Sequence, residues 1–179
     1  TTVEMITAAV GLSPGAFYLY FQNKLEIYRT LNAVGIDILK DKIQQATTWP
    51  GLGALSKLSA VAAASYRFYC DYKEYYQVMA ILHLGQKAFF QDFEMVSLLE
   101  QKSIELLQVI AAIIEEGQTT GEIRPVDSWK TAVAFWGMID GIILLEVRQN
   151  TTFVKLSLDE IIKQMIAMTF SGIALPQKP

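Results

Sequence analysis

The 179-residue chain is 52% hydrophobic with a net charge of −3, which suits one sizeable apolar core and excludes a disordered segment. Its mean hydropathy is high at +0.28, yet the richest stretch, Ala132 to Val147, contains Asp140 and Glu146, so no run reaches the ~18–20 uncharged apolar residues that span a bilayer and no membrane partner is expected. A single cysteine, Cys70, excludes an internal disulfide and fits a reducing cytoplasm, and no secretory signal is visible.

A first short helix is predicted over Val3 to Val10, where Met5, Ile6, Ala9 and Val10 recur at helical spacing. Gly11 suits a helix end because it enters the left-handed region without strain. Ser13 then offers an N-cap oxygen and Pro14 a first helical position that needs no N–H, opening a second helix to about Phe21. Two short helices, a Gly turn and a Ser-Pro restart form a helix-turn-helix pattern, whose second helix enters the major groove of DNA. Phe17 and Phe21 can anchor that helix. Pro14, Gly15, Ala16, Tyr18 and Tyr20 are left outside, small at the tip and aromatic on the flank, with Lys24 in reach of phosphates. The plainer reading is turn punctuation plus tyrosines covering a small core.

A long helix is expected from Asn23 to about Ala46, opened by the capping-box pattern Asn23-Lys-Leu-Glu26. Over residues 1–46 the charges cancel, Lys24, Arg29, Lys40 and Lys42 standing against Glu4, Glu26, Asp37 and Asp41, so phosphate affinity rests on a few placed groups. Thr47 to Gly53, with Pro50 and two glycines, breaks the chain and sets a domain boundary: residues 1–47 as head and connecting helix, 51–179 as the second domain. Helices are then predicted over Leu55–Cys70, Tyr75–Leu84, Glu94–Glu116, Asp127–Asn150 and, after the capping box Ser157-Leu-Asp-Glu160, to about Phe170; residues 86–93, with Phe89, Phe90 and Phe93, are ambiguous. No segment alternates with period two, so the fold class is all-α, without a sheet.

The 127–150 helix is apolar nearly all round and must be buried on several sides. Trp129, Val133, Trp136, Asp140, Ile143 and Val147 form one stripe, and Gly137 and Gly141 permit close approach of another backbone. With Ile161, Met165 and Met168 on the last helix, this predicts a two-fold homodimer through Trp129, Gly137, Gly141, Leu144, Ile161, Met165 and Met168, in preference to one large monomeric core. The aromatic density of Tyr66, Tyr69, Tyr72, Tyr75 and Tyr76 suits a pocket for a small apolar ligand. Tyr66, Tyr69, Met79, His83, Leu107, Trp136 and Asp140 are its candidate contacts; for each, a plain core role is the alternative. Asp140, an isolated carboxylate in an apolar helix, needs a partner: a ligand group, or a neighbouring Tyr or Trp donor.

Residues Thr2 to Lys24 resemble the DNA-binding signature of the tetracycline-repressor (TetR) family through Thr2, Ile6, Gly11-Leu12-Ser13, Gly15-Ala16-Phe17-Tyr18, Tyr20-Phe21 and Lys24. Ala16 stands where Thr is usual, and Thr7 replaces a common Ala. Gly121 to Asp127 and the apolar helix after it also resemble that family's dimerisation region. The family begins with an additional helix, so the resemblance implies that the sequence given lacks it. It further implies DNA contacts by Thr2, Ser13, Pro14, Gly15, Ala16, Tyr18, Tyr20 and Lys24, and a helix-turn-helix head on a larger ligand-binding and dimerisation bundle.

Enzyme readings find no support. His83 is the only histidine, and there is no Glu-x-x-His pair, phosphate-cradling Gly motif or Ser nucleophile context; no metal site or cofactor is implied. The expected function is a cytoplasmic, nucleoid-associated, ligand-responsive transcriptional regulator. It binds palindromic double-stranded operator DNA as a homodimer and acts as a repressor released by a small, largely apolar or aromatic effector. The alternative is a helical dimer that binds a lipid or small molecule, or scaffolds partners, without touching DNA.

Overall fold

Capping chemistry sets where the helices begin. The computed structural model describes residues 2–83, 93–147 and 157–176, with backbone only at 81–83 and 93–95. These residues form α1 (Val3–Ala9), α2 (Pro14–Phe17), α3 (Lys24–Thr47), α4 (Ala54–Asp71), α5 (Lys73–His83), α6 (Phe93–Thr120), α7 (Ser128–Val147) and α8 (Leu158–Ile173). Residues 84–92, which include Phe89 and Phe90, and 148–150, the expected end of α7, lie outside the described residues.

Thr2 caps α1 by accepting from the Met5 N–H at 3.3 Å. At the other end Gly11, at φ +70°, lets the Leu12 N–H return to Thr7 O at 2.8 Å and the Gly11 N–H to Ala8 O at 3.3 Å, a Schellman closure that satisfies two terminal carbonyls. Thr7 is buried, and its hydroxyl donates to Val3 O at 3.0 Å, so the departure from alanine introduces no unmet polar group. Asn23 accepts from the Glu26 N–H at 3.0 Å to open α3, while the Glu26 carboxylate accepts from the Gln22 N–H. At α8 both bonds of the Ser157/Glu160 capping box form.

Two boundaries depart clearly from the periodicity. α6 runs through Gly117 to Thr120 rather than ending at Glu116, and the second helix stops at Phe17 rather than Phe21. Beyond it the Leu19 and Tyr20 N–H groups bond back three residues, to Ala16 O and Phe17 O, and only Phe21 bonds back four. The Phe17/Phe21 spacing is kept, with ring centroids 5.4 Å apart, but by a tight turn.

The body is a bundle around Phe68, Phe135, Leu58, Ile110, Ile114, Ile139 and Ile143, all under 2% exposed. Each such side chain contributes about 1.5–3 kcal/mol by leaving water. Leu39 and Ile43 join this core from α3, so the second half of α3 is packed as part of the body while its first half carries the head. Two ion pairs clamp it to α6: Lys40 to Glu105 at 2.7 Å and Lys102 to Asp37 at 2.6 Å. Its first half touches α5, where Gly35 lies so close that an added Cβ would sit 2.8 Å from Met79 Sδ.

Glu122, in the α6–α7 turn, reaches across to accept from the N–H groups of Ala54 (3.1 Å) and Leu55 (3.4 Å). It thereby caps α4, whose own N-cap, Gly53, has no side chain to do so. Among the described residues there is no strand; one isolated bridge pairs Ile123 with Ala174. No helix among them is long and apolar enough to cross a membrane, and no group of His, Cys, Asp and Glu could hold a metal ion.

Candidate nucleic-acid interface and effector region

The head presents a narrow tip. Ser13 Oγ accepts from the Ala16 N–H at 3.2 Å, and Pro14 occupies the first helical position. Phe17 is 5% exposed and pins α2 from below, whereas Tyr18, Leu19 and Tyr20 are 57%, 81% and 75% exposed. Pro14 and Gly15 are exposed at the end of the helix and Ala16 is half-buried, so nothing bulky stands between the α2 start and an approaching surface. Thr2 and Lys24 are exposed on the flanks, Lys24 with its ammonium 5.9 Å from the centre of the Tyr28 ring. Of the four cations counted over residues 1–46, Arg29 is buried, Lys40 and Lys42 are half-buried beside Glu105 and Asp71, and Lys24 is exposed.

The aromatic region is built where α4, α5 and α7 meet. Tyr76, 5% exposed, donates its hydroxyl to Asp140 Oδ1 at 2.7 Å and lies within 3.2 Å of the Asp140 carbonyl. Burial, and then the charge of Asp140, push the Tyr76 phenol far above its ordinary range, so it stays a neutral donor. Tyr69 meets it edge to face at 5.4 Å, and burial raises the Tyr69 phenol too. Met79, Tyr66 and Trp136 are half-buried against the same core. Leu107 is half-buried, one position off the inward-facing Leu106, and the His83 side chain lies outside the described residues. A cavity of about 500 Å³ opens elsewhere, between α3 and α4, and none of the seven candidate ligand contacts lines it.

An apolar face is left open on α7 and α8. Trp129, Val133, Met138, Leu145 and Met168 are 40–64% exposed, and a Cβ added at Gly137 or Gly141 would meet nothing within 4 Å. Leu144 and Ile161 are half-buried. Met165 is a correction: at 6% exposure it belongs to the core of its own chain. The inward stripe of α8 runs through Leu158, Ile162, Met165 and Ile173, which leaves Met165 no surface to offer a partner.

The family model described as bacterial regulatory proteins, tetR family, matches residues 1–31. A regulatory protein in the tetR family from Rhodococcus RHA1 superposes over 99% of this chain and 88% of its own, with a TM-score of 0.77 at 19% identity. The tetR-family match covers the head, and the likeness to that regulator shows that the whole chain shares its fold. Two further solved structures share the fold. FadR from Bacillus subtilis, solved in complex with stearoyl-CoA, has a TM-score of 0.78 at 21% identity over 97% of this chain and 89% of that one. The ketosteroid transcriptional regulator KstR2 of Mycobacterium tuberculosis has 0.70 at 19% identity over 98% and 86%. No curated protein matches the sequence.

The residue of this aromatic region that the sequence did not single out is Tyr76, the partner of Asp140. Its partner was half-signalled, because a lone carboxylate at position 140 of an apolar helix demands a donor. The choice among five nearby tyrosines depends on how α5 crosses α7.

Proposed function

We propose that this chain is a tetR-family, ligand-responsive transcriptional repressor that binds palindromic operator DNA as a homodimer. The observation that carries this is the tip: an α2 end capped by Ser13, pinned by Phe17, with Pro14, Gly15, Tyr18 and Tyr20 open to solvent. Small residues admit the helix start to base edges, and the tyrosine hydroxyls, Thr2, Ser13, Lys24 and backbone N–H groups supply phosphate contacts. The dimer uses the open face of α7 and α8, where Trp129, Gly137, Gly141, Leu144, Ile161 and Met168 meet their two-fold copies. It sets two tips roughly one helical turn (~34–36 Å) apart.

The effector is a small, largely apolar or aromatic molecule entering beside Tyr66, Tyr69, Met79, Leu107, Trp136 and Asp140, with His83 at the α5 end. The stearoyl-CoA bound to FadR supports an apolar effector class. Ligand that competes for Asp140 releases Tyr76, and α5 shifts against α3 at the tight Gly35–Met79 contact. The first half of α3 carries that shift to the head and changes the separation of the tips. The effector must prefer one of the two shapes, or nothing moves. The protein acts in the cytoplasm, on the nucleoid, with no cofactor and no catalytic step.

A gel shift with the protein on the DNA upstream of its own gene tests the reading. A retarded band at low salt that weakens steeply as salt rises is expected, since each phosphate contact adds about −0.9 to the slope of log affinity against log salt. A missing band at low salt overturns it in favour of a helical dimer that does not bind DNA.

A further inference from the structure

The cavity between α3 and α4 belongs to neither the head nor the aromatic region. It exists because one face of α4 is nearly bare: Ala60, Ala63 and Ala64 recur at helical spacing where larger residues would close the gap. The void measures about 500 Å³, within the range of small-molecule sites. Across it stand Gln45 and, on the turn after α3, Trp49, whose indole is 73% exposed. Two cations close one end. Lys42 lies 3.4 Å from Asp71 Oδ2 and 4.9 Å from the centre of the Tyr72 ring. Arg67, exposed, has no carboxylate within 4 Å among the described residues. Lys42, Arg67 and Asp71 therefore leave a local charge of +1 beside an apolar floor, on a chain whose net charge is −3.

We propose that this α3–α4 groove is a second ligand site, which takes a small amphipathic organic anion with a flat apolar body. The body lies on the alanine floor with one face against the Trp49 indole. The acidic group meets the Arg67 guanidinium, whose planar fork suits a carboxylate or sulfonate, while Gln45 supplies a neutral donor. Charge complementarity selects the anion over a neutral molecule of the same shape. Because the site joins the body end of α3 to α4, its occupant braces the helix whose other end holds the head.

The test uses the whole chain labelled with 5-fluorotryptophan, whose three tryptophan resonances are separated by fluorine NMR, that of Trp49 being assigned with Trp49→Phe. The probe is 2-naphthalenesulfonate, and its neutral counterpart is 2-naphthalenemethanol. The sulfonate is expected to shift the Trp49 resonance saturably, with the alcohol weaker by about tenfold or more, the loss of one charge-assisted pair. Arg67→Glu is expected to weaken the sulfonate by at least as much. Ala63→Leu, which adds volume at an exposed position of the floor, is expected to abolish the shift in a protein with an unchanged thermal transition. An unmoved Trp49 resonance, equal affinity for the alcohol, or indifference to both substitutions overturns the proposal. So does a response confined to Trp136, which would place the probe in the aromatic region.

Discussion

Tyr76→Phe removes one oxygen atom and leaves the rest of the aromatic region in place. The ring still fills its site, edge to face with Tyr69 at 5.4 Å and beside Phe68 at 6.5 Å, so no cavity term enters. What is lost is the 2.7 Å bond from the hydroxyl to the Asp140 carboxylate and the 3.2 Å approach to its carbonyl. A hydrogen bond to a charged group contributes about 1.5–3 kcal/mol, and at about 2–4 °C per kcal/mol for a chain of this size the midpoint should fall by roughly 3–12 °C at fixed protein concentration. A double-mutant cycle with Asp140→Ala should give a coupling of about 1–2 kcal/mol, smaller than the single loss because the carbonyl still accepts. The same bond has a signature in pH. Burial and Asp140 raise the folded-state Tyr76 phenol above its ordinary value of 10.0, so the folded chain keeps a proton that the unfolded chain releases. The stabilisation is complete below about pH 10 and is lost as pH rises beyond it, at about 1.4 kcal/mol per pH unit for this one group. Tyr76→Phe should lower the alkaline slope by that amount. A midpoint within 1 °C of the parent, together with an unchanged alkaline slope, would refute the assignment of Tyr76 and Asp140 as a closed pair.

Lys24→Ala and Tyr20→Ala should each weaken operator binding across all sequences, and Lys24→Ala should reduce the salt slope by about 1, measured by anisotropy titrations at several salt concentrations; altered sequence preference instead would make these groups base readers. Met168→Glu places a charge on the open α7/α8 face at a residue 64% exposed in the single chain, so sedimentation should show the dimer giving way to monomer while helical content holds. An intact dimer would move the interface elsewhere. Gly117→Ala gains about 1 kcal/mol of helix preference, but its Cβ would lie 2.6 Å from Ile123 Cδ1 and 2.7 Å from Ala54 Cβ. Overpacking of about 1–3 kcal/mol should win, and a raised unfolding midpoint would contradict that.

Local chemistry was legible in the sequence, and contacts between distant segments were not. Ser13, Asn23 and Ser157 cap the helices they were expected to cap, because a cap depends on three or four neighbouring residues. The length of α2 was over-read for a related reason: Phe17 and Phe21 satisfy the same four-residue spacing in a turn as in a helix. On α7 the expected stripe from Trp129 to Val147 splits in the fold. Trp129 and Val133 are open, whereas Ile143 is buried beside Ala132, Phe135 and Ile139; a helix apolar on all sides gives periodicity nothing to choose between. The Lys40–Glu105 and Asp37–Lys102 pairs join residues 65 positions apart, and one sequence holds no sign of which acid meets which base. The α3–α4 groove was hidden more deeply, since it is made by side chains that are small, and alanines in a helix ordinarily signal nothing but helix.

The account stands on paired tips reading DNA. Hydroxyl-radical footprinting of the protein on the DNA upstream of its own gene, with the mass of the complex measured alongside, addresses that most directly. It should show two protected patches in a palindrome, centred about one helical turn apart, held by an even number of chains, and lost with Pro14→Glu. A single patch under one chain, or protection that survives the Pro14 substitution, would contradict it.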